Sequence, residues 1–154
     1  MKELISSGLE ALGLTGSVPP DAAEKLAEYG RLLLEKNQVM NLTAIRDEAG
    51  VARLHMLDCA ALLPCADLTG ARTLLDVGTG AGFPGLPLKI LLPQLDVTLL
   101  DSLNKRVDWL NEVSAQLGLT GVRAIQGRAE EKALEKSIRD SFDLVTARAV
   151  ADLR

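Results

Sequence analysis

The chain has 154 residues, of which 47% are hydrophobic and 25% charged, so its size and composition are those of one globular domain rather than of a disordered or fibrous protein. Its 21 acidic and 17 basic residues give a net charge of -4, which by itself does not indicate a nucleic-acid binder, so any such contact must come from a local basic patch. Its apolar runs are shorter than a membrane span and its first residues lack the order of a signal peptide, which predicts a cytoplasmic protein that contacts no membrane.

The first 65 or so residues are predicted to be helical. Asp21 can cap a helix that runs to about residue 36, with Glu24 completing a capping box. The apolar stripe of this helix holds Leu26, Tyr29 and Leu33. Asp47 can cap a second helix, and Pro64 marks its predicted end. The predicted apolar face of the second helix holds Val51, Leu54, Leu57 and Ala61.

The two cysteines, Cys59 and Cys65, fall in this helical region. Their spacing suits neither a metal pair nor a disulfide framework. We therefore expect them to be packing residues, and we predict no metal site.

From about residue 66 the pattern alternates between strand and helix. Short apolar segments predict strands at 73–77, 97–101, 122–126 and 142–146. Helices are predicted between them, one ending with 87–92, one at 105–117 with Gly118 as its stop, and one at 129–136. This order predicts a parallel sheet with strand order 3-2-1-4 and a ligand crevice at the carboxyl ends of its strands. We expect an α/β, Rossmann-like core at 66–154 that forms one domain with the helical extension at 1–65.

Three glycines occupy alternate positions where the first strand turns into a helix: Gly78, Gly80 and Gly82. Glycine permits positive φ and lets a ligand approach the backbone, so this loop is expected to contact a cofactor. Asp76 precedes the loop in apolar company, and a buried carboxylate needs hydrogen bonds. It is expected either to tie down the amides of the loop or to face the ammonium group of a ligand.

A literal G-x-G-x-x-G match runs from Gly80 through Gly82 to Gly85, which alone would favour a dinucleotide-binding oxidoreductase. Pro84 directly precedes the third glycine, and Gly78 already begins the turn. Together with Asp76 these features favour an S-adenosylmethionine-binding loop of the class I methyltransferase type.

Asp101 closes the second strand about 20 residues beyond the glycine loop, a spacing that suits a carboxylate accepting the ribose hydroxyls of an adenosine. It could also cap the following helix, and the two roles are compatible. After the third strand, Ala129 and Glu130 could line an adenine pocket. After the fourth, Arg148 could hold a phosphate, the guanine edge or the carboxylate of the cofactor, although a surface ion pair is the alternative.

Two catalytic devices are missing from the sequence after the fourth strand. Methylation of an exocyclic amine usually needs a polar-Pro-Pro-aromatic loop, and methylation of pyrimidine C5 needs a cysteine nucleophile. A ring nitrogen such as guanine N7 carries an exposed lone pair and no proton, so alignment and desolvation could suffice for its methylation. No catalytic residue is assigned, and Arg148 is the candidate for positioning the substrate.

Five segments together resemble one family: NLT at 41–43, HMLD at 55–58, DVGTGAGFPG at 76–85, DSLNKR at 101–106 and ARAV at 147–150. The resemblance is to RsmG, also called glucose-inhibited division protein B, the bacterial guanine-N7 methyltransferase of 16S rRNA. It spans about residue 20 to the last residue. The GFPG extension and the DSLNKR segment are its specific parts, since most methyltransferases share the glycine loop.

The resemblance implies that S-adenosylmethionine is the methyl donor and that N7 of a guanine in the 16S rRNA of the small ribosomal subunit is the acceptor. It places the cofactor contacts on Gly78, Phe83, Ala129, Glu130 and Arg148. By its residue type alone Phe83 could equally be a core residue. We expect a monomer whose partner is 16S rRNA or the small subunit.

The sequence departs from the family in two places. Leu54 stands where many relatives carry a basic residue, so no RNA contact is expected there, and the adjacent His55 is expected to be a packed or capping residue. The family continues for several more strands, which implies that C-terminal strands are absent here and that the fourth strand is an exposed edge. A non-catalytic module that binds an adenosine ligand or RNA is therefore an alternative function.

Any RNA contact must come from scattered basic residues, each of which could also belong to an ordinary solvated helix face. The candidates are Lys36, Arg46, Arg53, Lys89, Lys105 and Arg106.

Overall fold

The computed structural model describes residues 1–65, 70–128 and 141–147. A four-stranded parallel sheet forms its centre, made of β1 (Thr73–Val77), β2 (Asp96–Asp101), β3 (Val122–Gln126) and β4 (Leu144–Ala147). The strand order is β3-β2-β1-β4, which confirms the predicted topology. The order reverses between β1 and β4, and ligands of open α/β sheets bind at such a switch point, beyond the carboxyl ends of the strands.

Helices cover this sheet and form the first part of the chain. The first part contains α1 (Lys2–Ala11), α2 (Ala22–Asn37), α3 (Glu48–Gly50), a π-helix π1 (Val51–Leu57), α4 (Asp58–Ala60) and α5 (Leu62–Cys65). The crossover helices are α6 (Gly85–Leu91) and α7 (Asn104–Gln116). None of the helices in the described ranges is long and apolar enough to cross a membrane. The third predicted crossover helix, 129–136, lies outside the described residues.

The helix α2 joins the two halves of the sequence. Its predicted apolar stripe is confirmed, because Leu26, Tyr29 and Leu33 are completely buried. It packs against α1, π1 and α6. Its side chains therefore belong to the same apolar cluster as those of β1, β2 and α6.

The strand boundaries agree closely with the sequence pattern, except at β4. The strands at 73–77 and 122–126 are confirmed, and β2 begins one residue earlier than predicted. β4 begins at Leu144 rather than at residue 142, because the Asp143 carboxylate, rather than its backbone, accepts the amides of Arg72 and Thr73, at 2.8 and 3.2 Å. The side chain takes the place of a ladder hydrogen bond. Gly118, at φ +69°, ends α7 as predicted.

The second predicted helix differs most from its prediction. A π-helix adds about one residue per turn and so shifts the phase of the buried face. As a result Leu54, predicted to be buried, is 57% exposed, whereas Met56 is buried. The predicted end at Pro64 is also wrong: the helix breaks at Ala61, and Pro64 lies in the first turn of α5, where a missing N–H is tolerated.

The two predicted helix caps have different outcomes. Asp47 caps α3 as predicted, its carboxylate accepting the Gly50 amide at 3.1 Å. Asp21 directly precedes α2 but makes no capping hydrogen bond, and its carboxylate lies 3.6 Å from the Lys25 ammonium instead. The predicted capping box is therefore wrong. The reason is local, since Asp21 has ψ near 10° rather than the extended backbone that a capping side chain needs.

Candidate active site

The loop between β1 and α6 is folded around Thr79. The Thr79 amide donates to the Leu100 carbonyl at the end of β2, at 3.0 Å, and the Thr79 carbonyl accepts the amides of Gly82 and Phe83. Gly80 lies between these contacts at φ +59°, and a Cβ there would meet no protein atom within 4 Å. The glycine therefore permits the left-handed backbone and leaves open space beside it.

Asp76 holds the loop from inside the protein. It is 0% exposed, and its Oδ2 accepts the Thr79 hydroxyl at 2.7 Å and the Gly85 amide at 2.9 Å. Its Oδ1 accepts the Thr146 hydroxyl of β4 at 3.1 Å. These hydrogen bonds compensate for the burial of the carboxyl group. The expected tie to the loop is confirmed, while the contact with a ligand ammonium stays a prediction.

Asp101 holds the same loop from the neighbouring strand. Its Oδ1 accepts the Gly80 amide at 3.0 Å, and its Oδ2 accepts the Leu103 amide at 3.1 Å and lies 3.5 Å from the Arg106 guanidinium. The expectation that Asp101 caps the next helix is wrong, because Leu103 precedes α7 and Asp101 lies two residues earlier. Its carboxylate bonds the turn before the helix instead. Its ribose contact stays a prediction.

A cavity of about 280 Å³, here called the loop cavity, lies beside the glycine loop. It is lined by Leu42, His55, Gly78, Thr79, Gly80, Ala81 and Phe83. The structure therefore brings three predicted cofactor contacts together, namely Gly78, Gly80 and Phe83.

Gly82 does not line the loop cavity and has another reason to be glycine. A Cβ there would lie 2.5 Å from the Tyr29 hydroxyl oxygen, and its φ is +106°. The Tyr29 hydroxyl donates to the Ala81 carbonyl, so α2 supports the conformation of the loop. The cofactor contact of Gly82 stays a prediction.

Phe83 is both a core residue and a wall of the loop cavity. Its ring is buried and stacks on the His55 ring, with 4.2 Å between the ring centroids and 10° between the planes. His55 Nε2 lies 2.8 Å from the Thr43 hydroxyl oxygen. The expectation that His55 is a packed residue is confirmed. The two alternatives for Phe83, core and cavity wall, are compatible in this geometry.

Asn37 is a site-forming residue that the sequence reasoning missed. It is buried at the end of α2, where its Oδ1 accepts the amides of Leu42 and Thr43 and its Nδ2 donates to the Thr43 carbonyl. These bonds fix Leu42 against the loop cavity and Thr43 against His55. An asparagine four residues before the NLT segment was the available signal, but its partners are visible only in the fold.

A second cavity, here called the β4 cavity, has a volume of about 460 Å³. It is lined by Asp58, Cys59, Leu62, Pro84, Val145, Thr146 and Ala147. Cys59 is buried, as predicted for a packing residue, whereas the side chain of Cys65 lies outside the described structure. Among the described residues, no three His, Cys, Asp or Glu side chains are grouped to hold a metal ion.

Three predicted contacts lie outside the described residues: Ala129, Glu130 and Arg148. Their proposed roles on the adenine and on the substrate side stay predictions.

Lys89 was expected to be a candidate RNA contact, and this is wrong. It is 4% exposed, and its ammonium donates to the carbonyls of Pro93 and Leu95 at 2.6 and 2.5 Å. Burial lowers the pKa of this ammonium. Lys89 therefore fixes the turn between α6 and β2. Two other candidates, Lys36 and Lys105, line one groove between α2 and α7.

Gly85 packs as the third glycine of a dinucleotide-binding loop would. It is the first residue of α6, and a Cβ there would lie 2.5 Å from a Leu99 methyl and 2.9 Å from the Asp76 carboxylate. Pro84 does not prevent this close approach of helix and sheet. The packing of Gly85 consequently does not separate a methyltransferase from an oxidoreductase.

The family model described as rRNA small subunit methyltransferase G, GidB, matches residues 22–154. The chain belongs to this family. The match confirms the resemblance and the Rossmann-like methyltransferase fold, and nothing supports the oxidoreductase alternative. Membership of a methyltransferase family implies a methyl donor.

Curated relatives carry the name ribosomal RNA small subunit methyltransferase G. The chain is 46% identical to the protein of Alkaliphilus metalliredigens over 152 residues, which are 99% of this chain and 63% of the relative. It is 42% identical to a Clostridium perfringens protein over 98% of this chain and 62% of the relative. It is 51% identical to an Exiguobacterium sibiricum protein over 83% of this chain and 54% of the relative. The chain thus spans less than two thirds of the length of these relatives.

Proposed function

We propose that this chain binds S-adenosylmethionine and directs its methyl group to N7 of a guanine in 16S rRNA. The observation that carries the proposal is the loop cavity, which lies at the carboxyl ends of β1 and β2 and is lined by Gly78, Gly80 and Phe83. The names of the relatives support the RNA substrate of the small ribosomal subunit. A ribosomal RNA substrate also agrees with the cytoplasmic location expected from the sequence.

The residues around the glycine loop fit this cofactor. The positions that Cβ atoms would take at Gly78 and Gly80 are open, so a ligand can approach the backbone there. Asp101 lies beside the loop, where its carboxylate can serve the ribose hydroxyls. Phe83 supplies an apolar wall. Ala129, Glu130 and Arg148 complete the proposed contacts on the strength of the family resemblance.

The proposed reaction requires little acid–base chemistry from the protein. When bound, the sulfonium group of the cofactor supplies a methyl group with a neutral thioether as the leaving group. Guanine N7 has a free lone pair and loses no proton, so orientation and exclusion of water are the tasks of the chain. Asp76 is committed to structural hydrogen bonds, which agrees with a site that needs no general base.

The decisive experiment incubates the chain with labelled S-adenosylmethionine and small-subunit RNA that lacks the modification, followed by mapping of N7-methylguanine through strand scission. A matched reaction with a full-length relative establishes that the RNA is a competent substrate. We expect label at one guanine. Cofactor binding without N7 methylation by the chain, under conditions in which the relative is active, would overturn the proposal in favour of a non-catalytic binding module.

A further inference from the structure

Tyr29 is a side chain of α2 that lies behind the glycine loop. It is 0% exposed and lines neither the loop cavity nor the β4 cavity, so it cannot touch a cofactor bound in either. Its ring contacts the rings of Phe83 and Trp109, with 5.5 and 6.4 Å between the centroids. Aromatic pairs at these distances stabilise one arrangement of the rings. The Tyr29 hydroxyl is therefore held at a defined place against the loop.

Tyr29 contacts three consecutive residues of the loop. Its hydroxyl donates to the Ala81 carbonyl, and the hydroxyl oxygen lies 2.5 Å from the place that a Cβ of Gly82 would take. Its ring contacts the ring of Phe83. Ala81 and Phe83 both line the loop cavity. One buried side chain outside the cavity therefore contacts a segment that forms part of the cavity wall.

The Tyr29 hydroxyl bonds the peptide group between Ala81 and Gly82. Gly80 and Gly82, on either side of Ala81, have φ angles of +59° and +106°. Because glycine is sterically permissive, a peptide group between two glycines can rotate at little cost. The N–H of this group donates to the Thr79 carbonyl within the loop, at 2.9 Å, and its C=O accepts the Tyr29 hydroxyl. Tyr29 thus fixes the peptide group from outside the loop.

We propose that Tyr29 is a positioning residue: it holds the Ala81–Gly82 peptide group in the orientation that binds the cofactor, so that α2 sets cofactor affinity. This inference rests on the proposed function, namely binding of S-adenosylmethionine at the glycine loop. The apparent affinity of a protein falls with the fraction of molecules that are in the binding conformation. Removal of the hydroxyl should therefore weaken cofactor binding even in a fully folded chain.

The first test is Tyr29→Phe, which keeps the ring and removes the hydroxyl alone. We expect affinity for S-adenosylmethionine, measured by calorimetry, to fall about tenfold. Circular dichroism establishes that the variant is folded. A purely structural loss would change the unfolding transition without changing the affinity of the folded chain.

Ser114→Ala is the matched control. Ser114 is buried in α7, and its hydroxyl also donates to a backbone carbonyl, that of Leu110, at 2.8 Å. Ser114→Ala should retain cofactor affinity within about twofold, because its hydroxyl does not bond the loop. Wild-type affinity in Tyr29→Phe, or an equal loss in both variants, would overturn the role of Tyr29 and leave the proposed function intact. Failure of the wild type to bind S-adenosylmethionine would instead contradict the proposed function, and this inference with it.

A double-mutant cycle with Gly82→Ala tests whether Tyr29 acts through the loop. The added Cβ would lie 2.5 Å from the Tyr29 hydroxyl oxygen, so the loop has to move away from this hydroxyl. We expect Gly82→Ala to lower cofactor affinity at least about tenfold. Tyr29→Phe combined with Gly82→Ala should bind no more weakly than Gly82→Ala alone, since the bond to the Ala81 carbonyl is already disturbed. Fully additive losses of affinity would overturn the proposal.

NMR spectroscopy tests the conformation of the loop without any methyl transfer. In the cofactor-free chain, Tyr29→Phe should shift or broaden the amide resonances of Gly82 and Phe83, and saturating S-adenosylmethionine should return them to the wild-type positions. The amide of Gly118, at the end of α7, should not respond. An unchanged Gly82 amide in Tyr29→Phe would overturn the proposal.

Discussion

Asp76 and Asp101 end neighbouring strands and bind the same glycine loop, yet their surroundings differ. Asp76 accepts hydrogen bonds from the loop, from the start of α6 and from β4. Asp101 bonds the Gly80 amide and the turn before α7, and it lies close to the partly exposed Arg106. The difference teaches that Asp76 ties the loop to α6 and β4, whereas Asp101 ties it to the turn before α7.

The largest effect is expected for Asp76→Ala. The change leaves the Thr79 and Thr146 hydroxyls and the Gly85 amide without their buried acceptor, which should cost about 4 kcal/mol of unfolding free energy. Urea denaturation monitored by circular dichroism measures this loss. A stable Asp76→Ala protein that lacks only cofactor affinity would contradict the structural role of Asp76, because Asp76 would then be a ligand contact.

Gly80→Val tests the loop between the two acids. A valine at φ +59° is strained by about 1 to 2 kcal/mol, and its side chain would enter the open space beside the loop cavity. We expect affinity for S-adenosylmethionine, measured by calorimetry, to fall at least about hundredfold, with a smaller loss of stability.

Gly118→Val is the matched control for Gly80→Val, since Gly118 also has positive φ and open space but lies at the end of α7. It should lose similar stability and keep its cofactor affinity. Wild-type affinity in Gly80→Val would refute the placement of the cofactor at this loop.

Asp101→Asn should distinguish the role of Asp101 from that of Asp76. The amide keeps an acceptor for the Gly80 N–H but removes the charge that favours ribose hydroxyls, so we expect cofactor affinity to fall about tenfold. The unfolding free energy should fall by about 2 kcal/mol, less than in Asp76→Ala, because the amide nitrogen of the asparagine would face the Leu103 amide and the Arg106 guanidinium. Calorimetric titration and urea denaturation of the same preparation give both values. A loss of stability as large as that of Asp76→Ala would remove the distinction between the two acids.

The smallest effect is expected at Asp143, a third carboxylate that bonds backbone amides but is exposed. The hydrogen bond from the Arg72 amide, followed by that from Thr73, lowers the pKa of this carboxyl. Its contribution to stability is therefore present above the ordinary aspartate pKa of about 3.9 and is lost as the pH falls through the lower pKa of the folded state.

Unfolding of wild type and Asp143→Asn in urea should consequently differ near neutral pH and converge in strong acid. Asp108→Asn, which removes an exposed carboxylate from α7, controls for net charge. A difference between wild type and Asp143→Asn that grows on acidification would contradict the assignment.

Much of the sheet and the position of the glycine loop could be predicted from local sequence patterns. The strands β1 and β3, the stop at Gly118 and the order of the sheet follow from short apolar segments, punctuating glycines and the chirality of crossovers. The position of the glycine loop also followed from its spacing after β1. The partners of Asp101 and Asn37 could not be predicted, because they come from segments brought together only by folding.

The sequence by itself determined the methyltransferase-type core, because alternating apolar segments and glycine spacing are local properties of the chain. Tertiary structure decided which polar groups are buried: it placed Lys89 inside, shifted the buried face of the π-helix and exposed Leu54. It also brought the carboxylates of Asp76 and Asp101 to the same glycine loop. The physical reason is that burial and hydrogen-bond partners depend on packing between distant segments, which hydrophobic periodicity does not encode.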